Sequence, residues 1–149
     1  MLDRANDRPG DVIIPSWDSG QDAVVDVTVI SPLQALRVSQ AGRVPGSSLD
    51  YRFQQKMSKY HQSCRDSGKK FTPLPVETIG AWHQVARSFI KKLGSALARA
   101  VGRDPDDSVR FLFQRLGVAL QRGNAALMLS RVPAFPPQDV DGDMDTDIA

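Results

Sequence analysis

Ala23-Val24-Val25-Asp26-Val27-Thr28-Val29-Ile30 is the stretch on which the fold turns. Branching at Cβ restricts χ1 and suits a pleated surface, so this run favours extended backbone. Its apolar residues fall on both faces, which predicts a central strand covered on both sides. Asp11-Val12-Ile13-Ile14-Pro15 precedes it and reads as a second strand. Between them, Ser16-Trp17-Asp18-Ser19-Gly20-Gln21-Asp22 has the composition of a loop. Strands over about 11–15 and 23–30 therefore predict a β-hairpin. The midpoint of residues 11 and 26 lies inside the loop, so a simple hairpin sets Asp11 directly opposite Asp26.

That juxtaposition needs a reason. Directly opposed Cβ atoms lie about 4.5–5.5 Å apart, where like charges destabilise a sheet. Protonation of one carboxyl, a basic side chain reaching in, or a divalent cation would each relieve the repulsion. Asp11 starts its strand, a common place for a solvent-facing acid. Asp26 is flanked by valines, and a charge inside such a run usually has a partner or a job.

Moving outward, Ser31-Pro32 ends the central strand. Residues 33–40 suit a short helix, and Gly42, Pro45 and Gly46 mark a break over 41–46. Ser47 or Ser48 opens a helix over about 47–67, with Leu49, Phe53, Met57 and Tyr60 on one face and Gly68 as its stop. Phe71 to Glu77 reads as a third strand, about 71–77, and Pro73 and Pro75 argue for an edge or an irregular stretch. Apolar residues from Trp82 to Leu97 recur at helical spacing, predicting a helix over about 79–101. Asp104-Pro105 starts another over about 105–130, kinked or broken near Gly123. Residues 1–10 read as an irregular start. Residues 133–149 read as a Pro-rich, then acidic, disordered tail, whose Asp spacing faintly resembles a calcium loop without its Glu. The expected fold is α/β (α+β) over 11–132: a small mixed sheet begun by a β-hairpin, flanked by helices, with a helical C-terminal half.

Composition narrows the class. Of 149 residues, 41% are hydrophobic and 24% charged, ordinary for a globular domain. No apolar run approaches the roughly 20 residues of a membrane helix, and Met1 to Asp7 lacks the apolar core of a secretory signal. Cys64 is the sole cysteine, so no internal disulfide forms, and nothing in its surroundings marks it as a nucleophile. Charge is sorted along the chain. Residues 1–50 carry 4 basic and 7 acidic groups, residues 51–132 carry 15 and 5, and residues 133–149 carry 5 Asp alone. The basic middle block fits a polyanionic partner, or simply solvated helix faces.

Several motifs occur in order: Arg8-Pro9-Gly10-Asp11-Val12, Asp26-Val27-Thr28-Val29, Lys56-Met57-Ser58-Lys59-Tyr60 and Val76-Glu77-Thr78-Ile79-Gly80-Ala81-Trp82. The series resembles the C-terminal end of reverse-transcriptase-bearing retrotransposon open reading frames. Those ends look like the restriction-endonuclease-like domain of site-specific non-LTR retrotransposons, of the P-D…(D/E)-x-K nuclease superfamily. The resemblance implies a restriction-endonuclease-like fold truncated on its N-terminal side, and a DNA endonuclease dependent on Mg²⁺ or Mn²⁺. It implies metal binding by Asp11 and Asp26. Gly10 is inserted before Asp11, and Thr28 occupies the position of the strand lysine. In the retrotransposon branch a lysine on the following helix takes that role, which points to Lys56 and Lys59 as catalytic candidates. Glu77 is a further metal ligand by resemblance, or a helix N-terminal acid complementing the dipole.

DNA is the implied partner, contacted by Arg52, Lys56, Lys59, Lys69 and Lys70, and a reverse-transcriptase region of the same element is a second. The implied setting is intracellular and nuclear. The rival expectation is a non-catalytic nucleic-acid-binding or interaction module that keeps the fold, in which Lys56 and Lys59 are ordinary surface lysines on a basic helix. Trp82 suits the core, and Tyr60 suits the core or base stacking. His61 and His83 have no partner at metal-ligand spacing.

Overall fold

A computed structural model describes residues 9–132; the expectations for residues 1–8 and for the tail lie outside them. Strand β2 (Gln21–Ile30) holds the middle of a three-stranded sheet, between β1 (Val12–Asp18) and β3 (Lys70–Glu77). The described residues are thus mixed α/β and hold four helices: α1 (Val38–Arg43), α2 (Ser47–Asp66), α3 (Gln84–Val101) and α4 (Pro105–Leu129). Among the described residues no helix is long and apolar enough to cross a membrane.

The hairpin is tighter than its loop composition predicts. Both strands run into the polar segment, and only Ser19 (φ 50°) and Gly20 (φ 82°) remain as the turn. Positive φ at both central residues gives a turn whose twist matches that of the strands. Asp18 pairs with Gln21, but farther out Ile14 pairs with Ala23 and Val12 with Val25. Three residues of β1 therefore oppose one of β2, a bulge centred on Ser16 (φ 49°), whose N–H donates to Asp22 Oδ1 at 3.0 Å. Beyond it, the pairing restores the register expected from sequence.

Strand β3 joins β2 in parallel, with Asp26 beside Pro73 and Ile30 beside Glu77. It is the edge strand that its prolines predict, and it is regular throughout. The Pro75 carbonyl accepts from the His83 N–H, so odd-numbered residues of β3 turn their peptide groups away from β2. Pro73 and Pro75 therefore lack N–H donors only where no ladder bond is due.

Helices cover both faces of β2 over residues 23–26, whereas Val27 and Val29 farther on are about half exposed, so the two-sided burial expected of the whole strand holds only for its first half. Val24 and Phe71 pack on Cys64, with Met57 and Tyr60 of α2 alongside. Ala23, Val25 and Leu74 pack on Ala86 and Phe89 of α3, with Trp17 and Trp82 against them. Helix α1 begins later than residues 33–40 predict, after a turn in which the Arg37 and Val38 N–H groups donate to the Gln34 carbonyl. Helix α3 begins at Gln84 rather than near 79, because Gly80 takes φ 100° and Trp82 bridges to Val76. Helix α4 passes Gly123 without a break.

Helices α3 and α4 approach closely at Gly94. A Cβ there would stand 2.9 Å from the Val109 Cα. Since the obstructing atom is backbone, Gly94→Val is expected to destabilise the domain by about 1–3 kcal/mol. That outweighs a helix-propensity gain of roughly 0.5 kcal/mol. A lowered urea midpoint with unchanged slope checks it.

Candidate functional site

Asp26 sits on the face of β2 that meets α2, in phase with Val24. It is 6% exposed. Lys56, two turns into α2, brings its Nζ to 2.9 Å from Oδ2 and 3.1 Å from Oδ1. The Thr28 hydroxyl donates to Oδ2 at 2.8 Å. The buried charge that sequence singles out thus has a cationic partner and a neutral donor, which is what burial of a carboxylate demands. Thr28, two residues on along the same strand face, turns toward the same carboxylate. The aromatic face of Tyr60 lies 5.5 Å from the Lys56 ammonium and 4.6 Å from that of Lys59, and the Tyr60 ring packs on Phe71 at 5.6 Å.

Asp11 lies just before β1. Its N–H donates to the Val25 carbonyl at 2.8 Å, and its Oδ2 accepts from the Val27 N–H at 2.8 Å. Asp11 is exposed, whereas Asp26 is buried beside Lys56. The two acids are neighbours across the hairpin end, and their carboxylates are held by different partners.

Glu77 stands apart from both. The register places it four residues beyond the level of Asp26, or roughly 13 Å at about 3.3 Å per residue. Asp26 and Glu77 do not share one ion across that span. Burial without a compensating charge pushes the Glu77 carboxyl above its ordinary range. An acid held protonated in the fold but not in the unfolded chain weakens the fold as pH rises. Between the ordinary glutamate value and the raised one the unfolded chain binds fewer protons, so stability falls with pH. Glu77→Gln is expected to flatten that slope above pH 5, read from thermal midpoints across pH 4–8.

The remaining cation candidates divide. Lys70 reaches Asp18 at 2.8 Å, and Lys92 of α3 reaches it at 3.1 Å. Lys70 first, then Lys92, holds the Asp18 carboxyl below its usual range. Arg52 donates to Gln55 Oε1, while its Nε is buried without a partner. Lys69 lies in the turn after α2, where its charge opposes the upward shift that burial gives the Cys64 thiol. Among the described residues no group of three or more His, Cys, Asp or Glu side chains is placed to hold a metal ion.

His83, unremarkable in the sequence, caps α3. Its Nδ1 accepts from the Val85 N–H at 3.2 Å, its Nε2 lies 3.2 Å from Asp50 Oδ1, and its ring stacks on Phe53 at 4.4 Å. Its position before a strong apolar helix pattern was the signal available, although histidine is not a favoured capping residue. Thr28 carried a signal too, as a hydroxyl two residues from an interior acid on one strand face.

The chain matches no family model, no curated protein and no solved structure.

Proposed function

We propose that this chain is a restriction-endonuclease-like domain of retrotransposon origin, built to cleave DNA phosphodiester bonds with Mg²⁺ or Mn²⁺. The observation that carries the reading is the Asp26–Lys56 pair. A lysine from the following helix reaches the acid of the central strand at 2.9 Å, while Thr28 occupies the strand position two residues on. Acid and lysine are the two elements that the D-x-K pattern joins, here supplied from two segments.

The donors present suit a hard cation. Mg²⁺ is commonly held by one or two carboxylates, with waters and substrate phosphate completing its shell. Asp26 and Asp11 are the two carboxylates for that role, without Glu77. When bound, the metal would polarise the phosphate and make its water a better nucleophile. The chain's own residues do the rest. Lys56 places a positive charge beside the Asp26 carboxylate, where it offsets negative charge accumulating on phosphate oxygens. Thr28 fixes the orientation of Asp26 Oδ2 by hydrogen bonding. The proposed setting is the nucleus, next to a reverse-transcriptase region of the same element.

A second reading has an observation in its favour. Lys56 contacts both Asp26 oxygens and Asp11 is bonded to the Val27 N–H. A domain that kept its fold as a non-catalytic nucleic-acid-binding module would retain such a closed pair. A nicking assay on supercoiled plasmid with Mg²⁺ or Mn²⁺ separates the two. Asp26→Asn, which keeps shape and loses charge, is expected to lower nicking by at least about 100-fold. Equal nicking by wild type and Asp26→Asn removes the catalytic reading, and salt-sensitive binding without nicking favours the module.

A further inference from the structure

Two cavities adjoin between α2 and α3, along the edge of β3 that faces away from β2. One, of about 250 Å³, is walled by Trp17, Phe53, Met57, Phe71 and Phe89. The other, of about 430 Å³, lies against the first turns of both helices and carries Trp82, His83, Arg87 and Lys91. Ser88 borders both, so they form one groove. At one end the walls are aromatic, with Lys70 and Lys92 at the mouth. At the other the walls are polar and cationic.

The groove has properties that the core does not explain. Arg87 and Lys91 are one helical turn apart on α3, both exposed, and neither makes an ion pair among the described residues. Asp50 and Asp18 are the acids that line the groove, and each already has a cationic or imidazole partner. An aromatic slot with unpaired cations one step away matches a base and its neighbouring phosphate.

We infer that this groove binds single-stranded DNA, with a base against Phe53 and Trp17 and the neighbouring phosphates on Arg87 and Lys91. Stacking on aromatic side chains in a cationic groove is the general solution for unpaired strands, since every base has a π-face. A duplex keeps its bases stacked on one another and does not present a free base face to an aromatic slot. The inference rests on the reading of the chain as a DNA-acting domain, and it gives that reading its substrate form: a locally unpaired strand. It does not depend on the Asp26–Lys56 pair being catalytic.

Both tryptophans of the chain line the groove, so the protein reports on it directly. Titration with oligo-dT of about eight nucleotides, within the usual span of single-strand sites, is expected to quench intrinsic fluorescence. The blunt duplex of equal length should quench far less. Arg87→Glu with Lys91→Glu is expected to weaken oligonucleotide binding by at least about tenfold in moderate salt. Arg115→Glu with Arg122→Glu, the same charge change on α4, should weaken it by less than about threefold. Ser88→Leu, at an exposed position where the cavities meet, should reduce quenching without altering the circular dichroism spectrum. Equal losses from the two charge-reversal pairs, undiminished quenching in Ser88→Leu, or equal quenching by duplex would each overturn the assignment. Quenching that persists in a protein unable to nick plasmid would leave the groove standing and remove only the catalytic reading.

Discussion

Replacing Lys56 by methionine is expected to destabilise the domain by about 2–3 kcal/mol, and adding Asp26→Asn is expected to return most of that loss. Removing one partner of a buried ion pair costs about 3–5 kcal/mol, because the other charge is left without compensation. The Lys56 side chain is 23% exposed, so water takes up part of the strain and the lower figure applies. Thr28 still donates to the carboxylate in the single variant, which softens the loss further. Asparagine keeps the acceptor for Thr28 and removes the charge, so the double variant has nothing left uncompensated. Urea unfolding of the four proteins gives the coupling between the two sites. A coupling below about 0.5 kcal/mol would mean that the pair is solvated and that the buried-charge account of Asp26 fails.

Phe89→Ala is expected to cost about 3–5 kcal/mol, the usual range for a buried phenylalanine. Phe89 is 8% exposed and belongs to the cluster that joins Val25 and Leu74 of the sheet to Ala86 of α3. Its ring also meets Trp17 at 4.9 Å, which ties the hairpin tip to the helix. Truncation therefore opens a cavity and releases the hairpin together. The Trp17 emission should shift to longer wavelength in the folded variant as its packing partner disappears. A loss below about 1.5 kcal/mol would mean that the site collapses readily and that the ring is not central to this layer.

The order of strands and long helices was legible in the sequence, because period-2 and period-3.6 apolar patterns and the Gly and Pro stops carry it directly. The central place of β2 followed from its two-faced apolar run, and the edge place of β3 from Pro73 and Pro75. The hairpin tip was not legible in the same way. Polar residues from Ser16 to Asp22 have loop composition, yet the left-handed Ser19-Gly20 turn lets both strands continue through them. The start of α3 was misplaced for a similar reason: Trp82 fits the helical spacing but belongs to a bridge with Val76.

At the candidate site, sequence arithmetic made Asp11 and Asp26 neighbours and named Lys56 as one of two lysines for the pair. It left open which lysine reaches Asp26, since Lys56 and Lys59 differ by less than one helical turn. Helix rotation decides it, and that is fixed by the packing of Met57, Tyr60 and Cys64 on Phe71 and Val24. Glu77 shows the opposite case. The resemblance offered it as a further metal ligand, or else as an acid at a helix N-terminus; the parallel register carries it to the far end of the strand, and α3 begins only at Gln84.

The prolines of β3 have a consequence for the behaviour of the protein in concentrated solution. Beyond Phe71 the strand is buried along its length, Pro73 and Pro75 supply no donor, and the Pro75 carbonyl already accepts from the His83 N–H. A second molecule cannot extend the sheet on that side, because a new strand needs both donors and acceptors. On the opposite margin Pro15 and the kink at Ser16 interrupt β1 in the same way. Both margins are thus interrupted as templates for edge-to-edge growth.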